Sequence, residues 1–92
     1  MIRSFRCKDT QTLFERGKCR RFSGIAKIAT RKLVQLDSAL ELRDLSSPPG
    51  NRLELLSGDR AGQHSIRINN QFRLCFVWAG EHAEDVQIVD YH

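Results

Sequence analysis

The sequence has few of the residues that stabilise secreted or metal-binding domains. Its cysteines are Cys7, Cys19 and Cys75, an odd number with no CxxC pair. A disulfide framework is therefore not expected, and reduced thiols are the simplest interpretation. The three histidines show no HxH or HxxxH spacing, so we predict no metal site.

The sequence also lacks a long apolar run. No window approaches the ~18–20 continuous apolar residues that span a membrane. The first ten residues carry Arg3, Arg6, Lys8 and Asp9, where a secretory signal would be apolar. With 92 residues, 40% hydrophobic and 28% charged, the chain has the composition of one soluble domain. We expect a single cytoplasmic domain over residues 1–92, with no membrane association and no room for a large cofactor.

Positive charge is concentrated in the first third of the chain. Residues 1–32 contain ten Lys or Arg and two Asp or Glu, a net charge of +8. Residues 33–92 contain five Arg and nine Asp or Glu, a net charge of −4. The guanidinium group of arginine suits phosphate and carboxylate groups. The distribution is compatible with a polyanionic partner such as nucleic acid, or with an ordinary solvated surface.

Helical patterns occupy the first half of the chain, after a short strand predicted at residues 2–6. Asp9 or Thr10 is a candidate N-cap for a short helix that ends at Gly17, and Ser23 is a candidate N-cap for a longer helix. Apolar residues recur every three or four positions along the longer helix, which predicts a core-facing stripe. The stripe comprises Ile25, Ile28, Ala29, Leu33, Leu36, Ala39 and Leu40.

The segment SSPPG at residues 46–50 separates this half from a strand-rich half, because two prolines admit neither a helix nor a central strand. After it, apolar and polar residues alternate, which predicts hairpin-linked strands. A three-residue loop at 69–71 keeps the apolar side chains on one face and places Arg67 opposite Arg73. The fold class is therefore α+β, with two N-terminal helices packed on one face of a mostly antiparallel sheet.

The other face of the predicted sheet is polar and basic. Like charges directly across a strand pair are destabilising, so one interpretation is that an anion bridges Arg67 and Arg73. The alternative is that these side chains diverge or pair with a carboxylate such as Glu54. By the same alternation, His64 is expected in the core as a hydrogen-bonded residue. The basic face is expected to be open and to comprise Arg52, Glu54, Gln63, Ser65, Arg67, Arg73 and Cys75.

Asp90, Tyr91 and His92 follow directly after the last predicted strand. A carboxylate, a phenol and an imidazole can supply a general base, a general acid and a stacking ring, although a polar tail is an alternative explanation. Together with two arginines that stabilise charge on a phosphate, they suit metal-independent RNA cleavage by a ribose 2′-hydroxyl. Since Tyr91 alternates with Asp90 and His92 along a strand, a bulge or turn is needed to bring the three together.

Five segments, in their order and spacing, resemble a known family. They are MIRSF at the start, LFERGK at 13–18, GDRAG at 58–62 followed by HSIRI, QFRLCF at 71–76, and DYH at the end. In these segments, and from end to end, the chain resembles the HigB-type toxins of the RelE/ParE superfamily.

The resemblance implies a compact RelE-like fold with a curved sheet. It implies a ribosome-dependent endoribonuclease that cleaves mRNA in the A site of the 70S ribosome, with no cofactor. It also implies a HigA-type helix-turn-helix antitoxin as partner, and contact with operator DNA only through the antitoxin complex.

Residue by residue, the resemblance matches Arg73 in QFRL to the arginine that holds the scissile phosphate. Arg67 lies where related toxins carry a basic strand residue. Asp90, Tyr91 and His92 match the terminal catalytic cluster, with proton transfer assigned to Asp90 or His92 and base stacking or 2′-hydroxyl orientation to Tyr91.

Two departures from the family pattern affect these roles. One branch of the family has a histidine where this chain has Glu54, and a lysine where it has Ser57. Glu54 is either the base itself or a salt-bridge partner of an arginine, and the division between base and acid stays open. Arg52 and Arg60 are expected to assist RNA binding.

Two other function classes remain open at this point. ParE-like relatives share the fold but act on DNA gyrase, so a non-cleaving toxin or binding module is the main alternative. An independent RNA-binding module is the second, and it predicts tight, salt-dependent binding of free RNA.

Overall fold

The computed structural model describes residues 1–90. Helices occupy the first half of the chain and strands the second, as the position of the SSPPG segment predicts. The main elements are α1 (Lys8–Arg16), α2 (Ala26–Ser38), β1 (Glu54–Leu55), β2 (His64–Arg67), β3 (Phe72–Ala79) and β4 (His82–Asp90). Short 3-10 turns lie at Arg20–Ile25, Leu42–Ser46, Pro49–Asn51 and Gly58–Arg60.

The four strands form one antiparallel sheet in the order β1-β2-β3-β4. The N-terminal segment extends this sheet beyond β4, where Ile2 and Phe5 form parallel bridges with Ala83 and Val86. The predicted strand at residues 2–6 is thus reduced to two bridges. The α+β class with a mostly antiparallel sheet is confirmed.

The hairpin between β2 and β3 has the predicted register. Arg67 pairs with Arg73, and Ile66 pairs with Leu74. In the loop, Asn69 Oδ1 accepts the backbone N–H groups of Gln71 at 2.9 Å and Phe72 at 2.7 Å. These bonds close the three-residue loop that the hydrophobic pattern requires.

The pairing of β3 with β4 slips by one residue beyond Cys75. Asp85 lies at this slip with a φ of 52°, and its N–H donates to Ser4 Oγ at 2.9 Å. An extra residue of this kind bends a strand and increases its twist. The N-terminal segment therefore supports β4 at the point where the strand bends.

The helix ends agree only in part with the sequence prediction. α1 begins after Cys7, so neither Asp9 nor Thr10 is its cap, but it ends at Gly17 as predicted. Gly17 has a φ of 74°, a conformation that costs glycine little.

The predicted cap of the longer helix is wrong. Ser23 lies inside the 3-10 turn Arg20–Ile25, and α2 begins only at Ala26 with no side-chain cap. The helix ends at Ser38, so Leu40 lies beyond it and is 69% exposed instead of joining the stripe.

The core lies between the two helices and one face of the sheet. Fully buried side chains from both layers form it, including Leu13, Leu33, Leu36, Ile66, Leu74, Phe76 and Val86. Buried Thr10 joins the layers with a hydrogen bond, since its Oγ1 accepts the N–H of Ile88 at 3.0 Å. Leu55 follows Glu54 in β1 and alternates onto this face, but it is 69% exposed, because β1 is only two residues long at the sheet edge.

In the described part of the chain, no helix has both the length and the apolar character needed to cross a membrane.

Candidate active site

Arg73 is held in a fixed position on the sheet face opposite the core. Its Nε donates to Ser65 Oγ at 2.7 Å, and its Nη2 donates to the backbone carbonyl of Arg52 at 2.7 Å. The side chain is only 11% exposed. A guanidinium has five N–H donors, so three remain after these two bonds. The remaining donors suit a phosphate, which arginine binds in a bidentate manner.

A carboxylate stands beside this guanidinium. Glu54 Oε1 lies 3.9 Å from Arg73 Nη2, and the Glu54 side chain is 55% exposed. The contact follows from the sheet register, because Glu54 pairs with Ser65 and projects to the same face as Arg73. The distance is too long for a hydrogen bond, so both groups can still bind a substrate.

The paired arginines have adjacent backbones but different side-chain partners. Arg67 donates through Nη2 to Asn70 Oδ1, whereas Arg73 binds Ser65 and the Arg52 carbonyl. Arg73 also has Glu54 nearby, as the second sequence interpretation proposed. Within residues 1–90, Arg67 has no acidic partner.

A third cation, Lys32 of α2, lies near Arg67. Burial, and then the charges of Arg31 and Arg67, lower the pKa of Lys32. Its ammonium donates to Asn51 Oδ1 and, among residues 1–90, has no carboxylate partner. Lys32 belongs to the basic first third of the chain, for which the sequence left both a polyanionic partner and an ordinary solvated surface open.

Asn51 holds both Lys32 and the loop that anchors Arg73. It is fully buried, and its Nδ2 lies within hydrogen-bond distance of the carbonyls of Leu45 and Ser47, at 3.1 and 3.3 Å. The carbonyl of the next residue, Arg52, accepts from Arg73. The sequence prediction missed Asn51, because a single asparagine after a Pro-Pro-Gly turn shows no periodic signal.

The basic face is not as open as the sequence predicted. Ser65 and Cys75 are fully buried, and Gln63 is 8% exposed. Burial raises the pKa of the Cys75 thiol, and the charges of Arg60 and Arg73 offset this effect only in part. The arginines thus lie over the strand residues and close the floor of the site to solvent.

Arg52 and Arg60 lie in loops instead of strands. Arg52 follows the turn Pro49–Asn51 with a φ of 46°, and its backbone carbonyl is what contacts Arg73. Arg60 ends the turn Gly58–Arg60 and donates to Gln63 Oε1 at 3.2 Å. The charge of the Arg60 guanidinium acts on the thiol of buried Cys75, so Arg60 lies close to the strand residues beneath the arginines.

Asp90 lies on the other side of the sheet from Arg73. Val89 pairs with Arg73, whereas Asp90 pairs with Phe72 and so shares the face of the core. Its carboxylate accepts a hydrogen bond from Gln71 Nε2 at 3.0 Å. Tyr91 and His92, which the sequence placed in the same cluster, lie outside the described residues.

His64 departs from the expected hydrogen-bonded core residue. Its ring stacks on Phe76 with centroids 6.3 Å apart, but its buried Nδ1 has no hydrogen-bond partner in the part of the chain that the structure describes. Among residues 1–90, no three His, Cys, Asp or Glu side chains are grouped closely enough to hold a metal ion.

A polar cavity adjoins the site, and the sequence analysis did not predict that its lining residues lie together. It has a volume of about 310 Å³ and is lined by Arg6, Asp59, Arg60, Gln63 and Gln87. No sequence pattern predicts it, because its residues come from the N-terminal segment, a loop and β4.

Comparison with known proteins identifies the family. A family model described as "RelE-like toxin of type II toxin-antitoxin system HigB" matches residues 3–92. "Toxin HigB-1" of Vibrio cholerae is 42% identical over 80 residues, which cover 85% of this chain and 84% of that protein. "Endoribonuclease HigB" of Proteus vulgaris is 33% identical over 96 residues and is matched over the full length of both chains.

Solved structures match the fold. A chain of the "YoeB-YefM complex from Staphylococcus aureus" has a TM-score of 0.61 at 17% identity, covering 100% of this chain and 98% of that one. The "YoeB/ParE toxin from Agrobacterium tumefaciens" has a TM-score of 0.57 at 19% identity, covering 99% and 100%. The fold and the sequence relatives agree, and the chain belongs to the HigB family of RelE-like toxins of type II toxin–antitoxin systems.

Proposed function

We propose that this chain is an endoribonuclease toxin that cleaves mRNA in the A site of the 70S ribosome and thereby arrests translation. The geometry of Arg73 is the observation that carries the proposal. Its guanidinium is anchored by two oxygens, keeps three N–H donors and stands 3.9 Å from the Glu54 carboxylate. Membership of the HigB family, and a relative named as an endoribonuclease, support RNA as the substrate.

The reaction is cleavage by the neighbouring 2′-hydroxyl. A base takes the proton of this hydroxyl as its oxygen attacks phosphorus, and an acid protonates the O5′ leaving group as the P–O5′ bond breaks. The products are a 2′,3′-cyclic phosphate and a 5′-hydroxyl. Negative charge develops on the phosphate oxygens, and a fixed donor group aimed at such charge accelerates a reaction by about 10²–10³-fold. Arg73 fills this role.

We assign the base to Glu54. A phosphate bound to the outer donors of Arg73 has its ribose within reach of the Glu54 carboxylate, which is exposed enough to accept a proton. Asp90 was the other acidic candidate, but its register places it on the face of Phe72. The remaining proton donor is assigned to the Tyr91–His92 segment, with His92 as acid and Tyr91 as the stacking ring.

The other cations bind the RNA backbone on either side of the cleaved linkage. Arg67 and Lys32 have no acidic partner among residues 1–90; Arg67 pairs with Arg73 across the β2–β3 hairpin, and Lys32 lies near Arg67. Arg60 and Arg52 flank the site on its loop side. On the ribosome these contacts add to those of the decoding site, so weak activity on free RNA is expected.

We further propose a HigA-type helix-turn-helix antitoxin as the partner, with operator DNA bound only through the complex, and the cytoplasm as the location. Two solved structures with this fold are described as complexes of a toxin with the antitoxin YefM. Copurification with the product of an adjacent short gene tests the partner directly.

The test of the activity is cleavage on the ribosome. Programmed 70S complexes with a defined A-site codon are incubated with the chain, and the 5′ ends of the cleaved mRNA are mapped by primer extension. We expect cuts within the A-site codon and a loss of about 100-fold or more in rate for Arg73→Ala. Arg43→Ala is the matched control, because Arg43 is exposed and, among residues 1–90, forms an ion pair with Glu41 alone.

Thermal melting of each variant separates loss of chemistry from loss of folding. Arg73→Lys keeps the charge but not the bidentate geometry, and we expect it to fold and to cut slowly. Growth arrest without cleaved mRNA would support the non-cleaving alternative. Equal cleavage by wild type and a folded Arg73→Ala protein would overturn the assigned site.

A further inference from the structure

We propose that Ser65 is a positioning residue of the cleavage reaction, because it keeps the Arg73 guanidinium from closing onto the Glu54 carboxylate. The inference rests on the proposed function and deepens it by naming what holds the phosphate-binding group and the base apart. An unrestrained arginine and carboxylate form a close bidentate pair, with N–O distances of about 2.7–2.9 Å. Here the ion pair is loose, with 3.9 Å between Arg73 Nη2 and Glu54 Oε1.

Ser65 lies between the two groups on the sheet. It pairs with Glu54 of β1 on one side and with Cys75 of β3 on the other. Arg73 precedes Cys75 by two residues on β3, so these side chains project to one face. The Arg73 side chain therefore crosses β2 over Ser65 to reach the loop that carries the Arg52 carbonyl. The serine hydroxyl is the acceptor that the guanidinium meets on the way to Glu54.

The bond to Ser65 fixes which edge of the guanidinium faces the substrate. Ser65 is fully buried, and its Oγ accepts the single Nε hydrogen of Arg73 at 2.7 Å. The Arg52 carbonyl accepts one Nη2 hydrogen at 2.7 Å. Among residues 1–90, the other three hydrogens, two on Nη1 and one on Nη2, have no hydrogen-bond acceptor. The phosphate therefore meets the guanidinium at its outer end.

Loss of the Ser65 hydroxyl would disable both reacting groups. The Nε hydrogen would lose its acceptor in a buried place, which is costly, and the Glu54 carboxylate is the charged acceptor beside it. Closure of Arg73 onto Glu54 would occupy the carboxylate that takes the 2′-hydroxyl proton. It would also turn the outer N–H donors away from the phosphate.

Cleavage on programmed 70S complexes tests this role. We expect Ser65→Ala to fold and to cut about 10–100-fold more slowly than wild type, since a misplacement of about 1 Å costs a rate factor of this size. In the Arg73→Ala background, the same change should alter the residual rate by less than about two-fold, because the group that it positions is absent. Ser4→Ala is the matched control and should cut at the wild-type rate. Ser4 Oγ also accepts one N–H, from Asp85 at 2.9 Å, but it lies on the N-terminal segment, at the opposite edge of the sheet from β1.

A binding measurement tests whether Glu54 is the group onto which Arg73 closes. The probe is a programmed 70S complex whose mRNA has a 2′-deoxyribose at the cleaved position, so that binding is measured without cleavage. We expect Ser65→Ala to weaken binding about ten-fold, as the loss of one charged hydrogen bond does. The loss should nearly vanish when Glu54→Gln is combined with it, because a neutral amide does not hold the guanidinium.

A second substitution keeps the test independent of packing. Ser65→Cys retains the volume of the side chain but offers only a weak acceptor, so it should lose activity as Ser65→Ala does. A folded Ser65→Ala or Ser65→Cys protein that cleaves at the wild-type rate overturns the inference but not the proposed function. An equal rate loss in the Arg73→Ala background, or a binding loss that Glu54→Gln does not relieve, also overturns it. Absence of cleavage by wild type on every codon overturns the proposed function itself.

Discussion

Replacing Asn51 with alanine tests how far one buried amide supports the site. The change removes an acceptor of Lys32 and a donor to the Leu45 and Ser47 carbonyls. The Ser47 carbonyl keeps a bond from Gln35 Nε2, and the ammonium of Lys32 can reach water. The Leu45 carbonyl is left buried without a partner, which costs about 1–3 kcal/mol.

The lost packing of the side chain adds about 1 kcal/mol, so the total loss in the free energy of unfolding is about 2–4 kcal/mol. For a domain of 92 residues, the midpoint of thermal unfolding falls by about 4–8 °C per kcal/mol. We therefore expect Asn51→Ala to melt about 8–32 °C below wild type in differential scanning calorimetry. The RNA cleavage rate per folded molecule should fall as well, because the Arg52 carbonyl that anchors Arg73 lies on the same loop.

Asn70→Ala is the matched control, because Asn70 is exposed and its side chain, within the described residues, accepts a hydrogen bond from Arg67 alone. Its melting midpoint should stay within about 3 °C of wild type, since exposed substitutions usually change stability by less than ~0.5 kcal/mol. A drop of less than 2 °C in Asn51→Ala would refute the reasoning, because it would mean that the buried amide is not needed to satisfy this loop.

Two further predictions concern stability and thiol chemistry. Thr10→Val leaves the buried N–H of Ile88 without its acceptor and should lower the free energy of unfolding, measured in urea, by about 1–3 kcal/mol. Thr12→Val, at a more exposed position, should lower it far less. Equal losses in the two variants would contradict the role of Thr10. Partial burial opposes ionisation of the Cys7 thiol, but hydrogen bonds from the start of α1 and the nearby charge of Arg21 outweigh this effect and lower the pKa of Cys7. Burial instead raises the pKa of the Cys75 thiol. Iodoacetamide should therefore modify Cys7 at a lower pH than an ordinary thiol requires, and it should leave Cys75 unmodified in the folded protein. Peptide mass mapping of samples labelled across pH 6–9 measures both. Labelling of Cys75 before Cys7 would contradict the prediction.

The sheet was predictable because its constraint is local and periodic. A two-residue loop after Ile68 would have mixed apolar and polar residues on both faces, so the three-residue loop and the Arg67–Arg73 pair followed from the sequence. The end of α1 at Gly17 followed from the preference of glycine for positive φ. These are cases in which residues close in sequence decide the structure.

The errors occurred where distant residues decide the structure. Ser23 has the chemistry of a cap, but the 3-10 turn that precedes α2 moves the N-cap position two residues along, to Ile25. Asp90 was grouped with the arginines by the chemistry of the chain end and by the family resemblance, whereas its pairing with Phe72 places it on the other face. Asn51 was missed, because its burial depends on how the turn Pro49–Asn51 packs against α2.

The parallel bridges of Ile2 and Phe5 to β4 connect residues that are about eighty positions apart in the chain. Contacts so distant in sequence form slowly during folding. Until β4 is in place, Arg73 lies on an edge strand and the opening segment has nothing to pair with. During synthesis, the sheet around Arg73 therefore stays incomplete until β4 has been made, and we expect a product truncated before β4 to be inactive in mRNA cleavage.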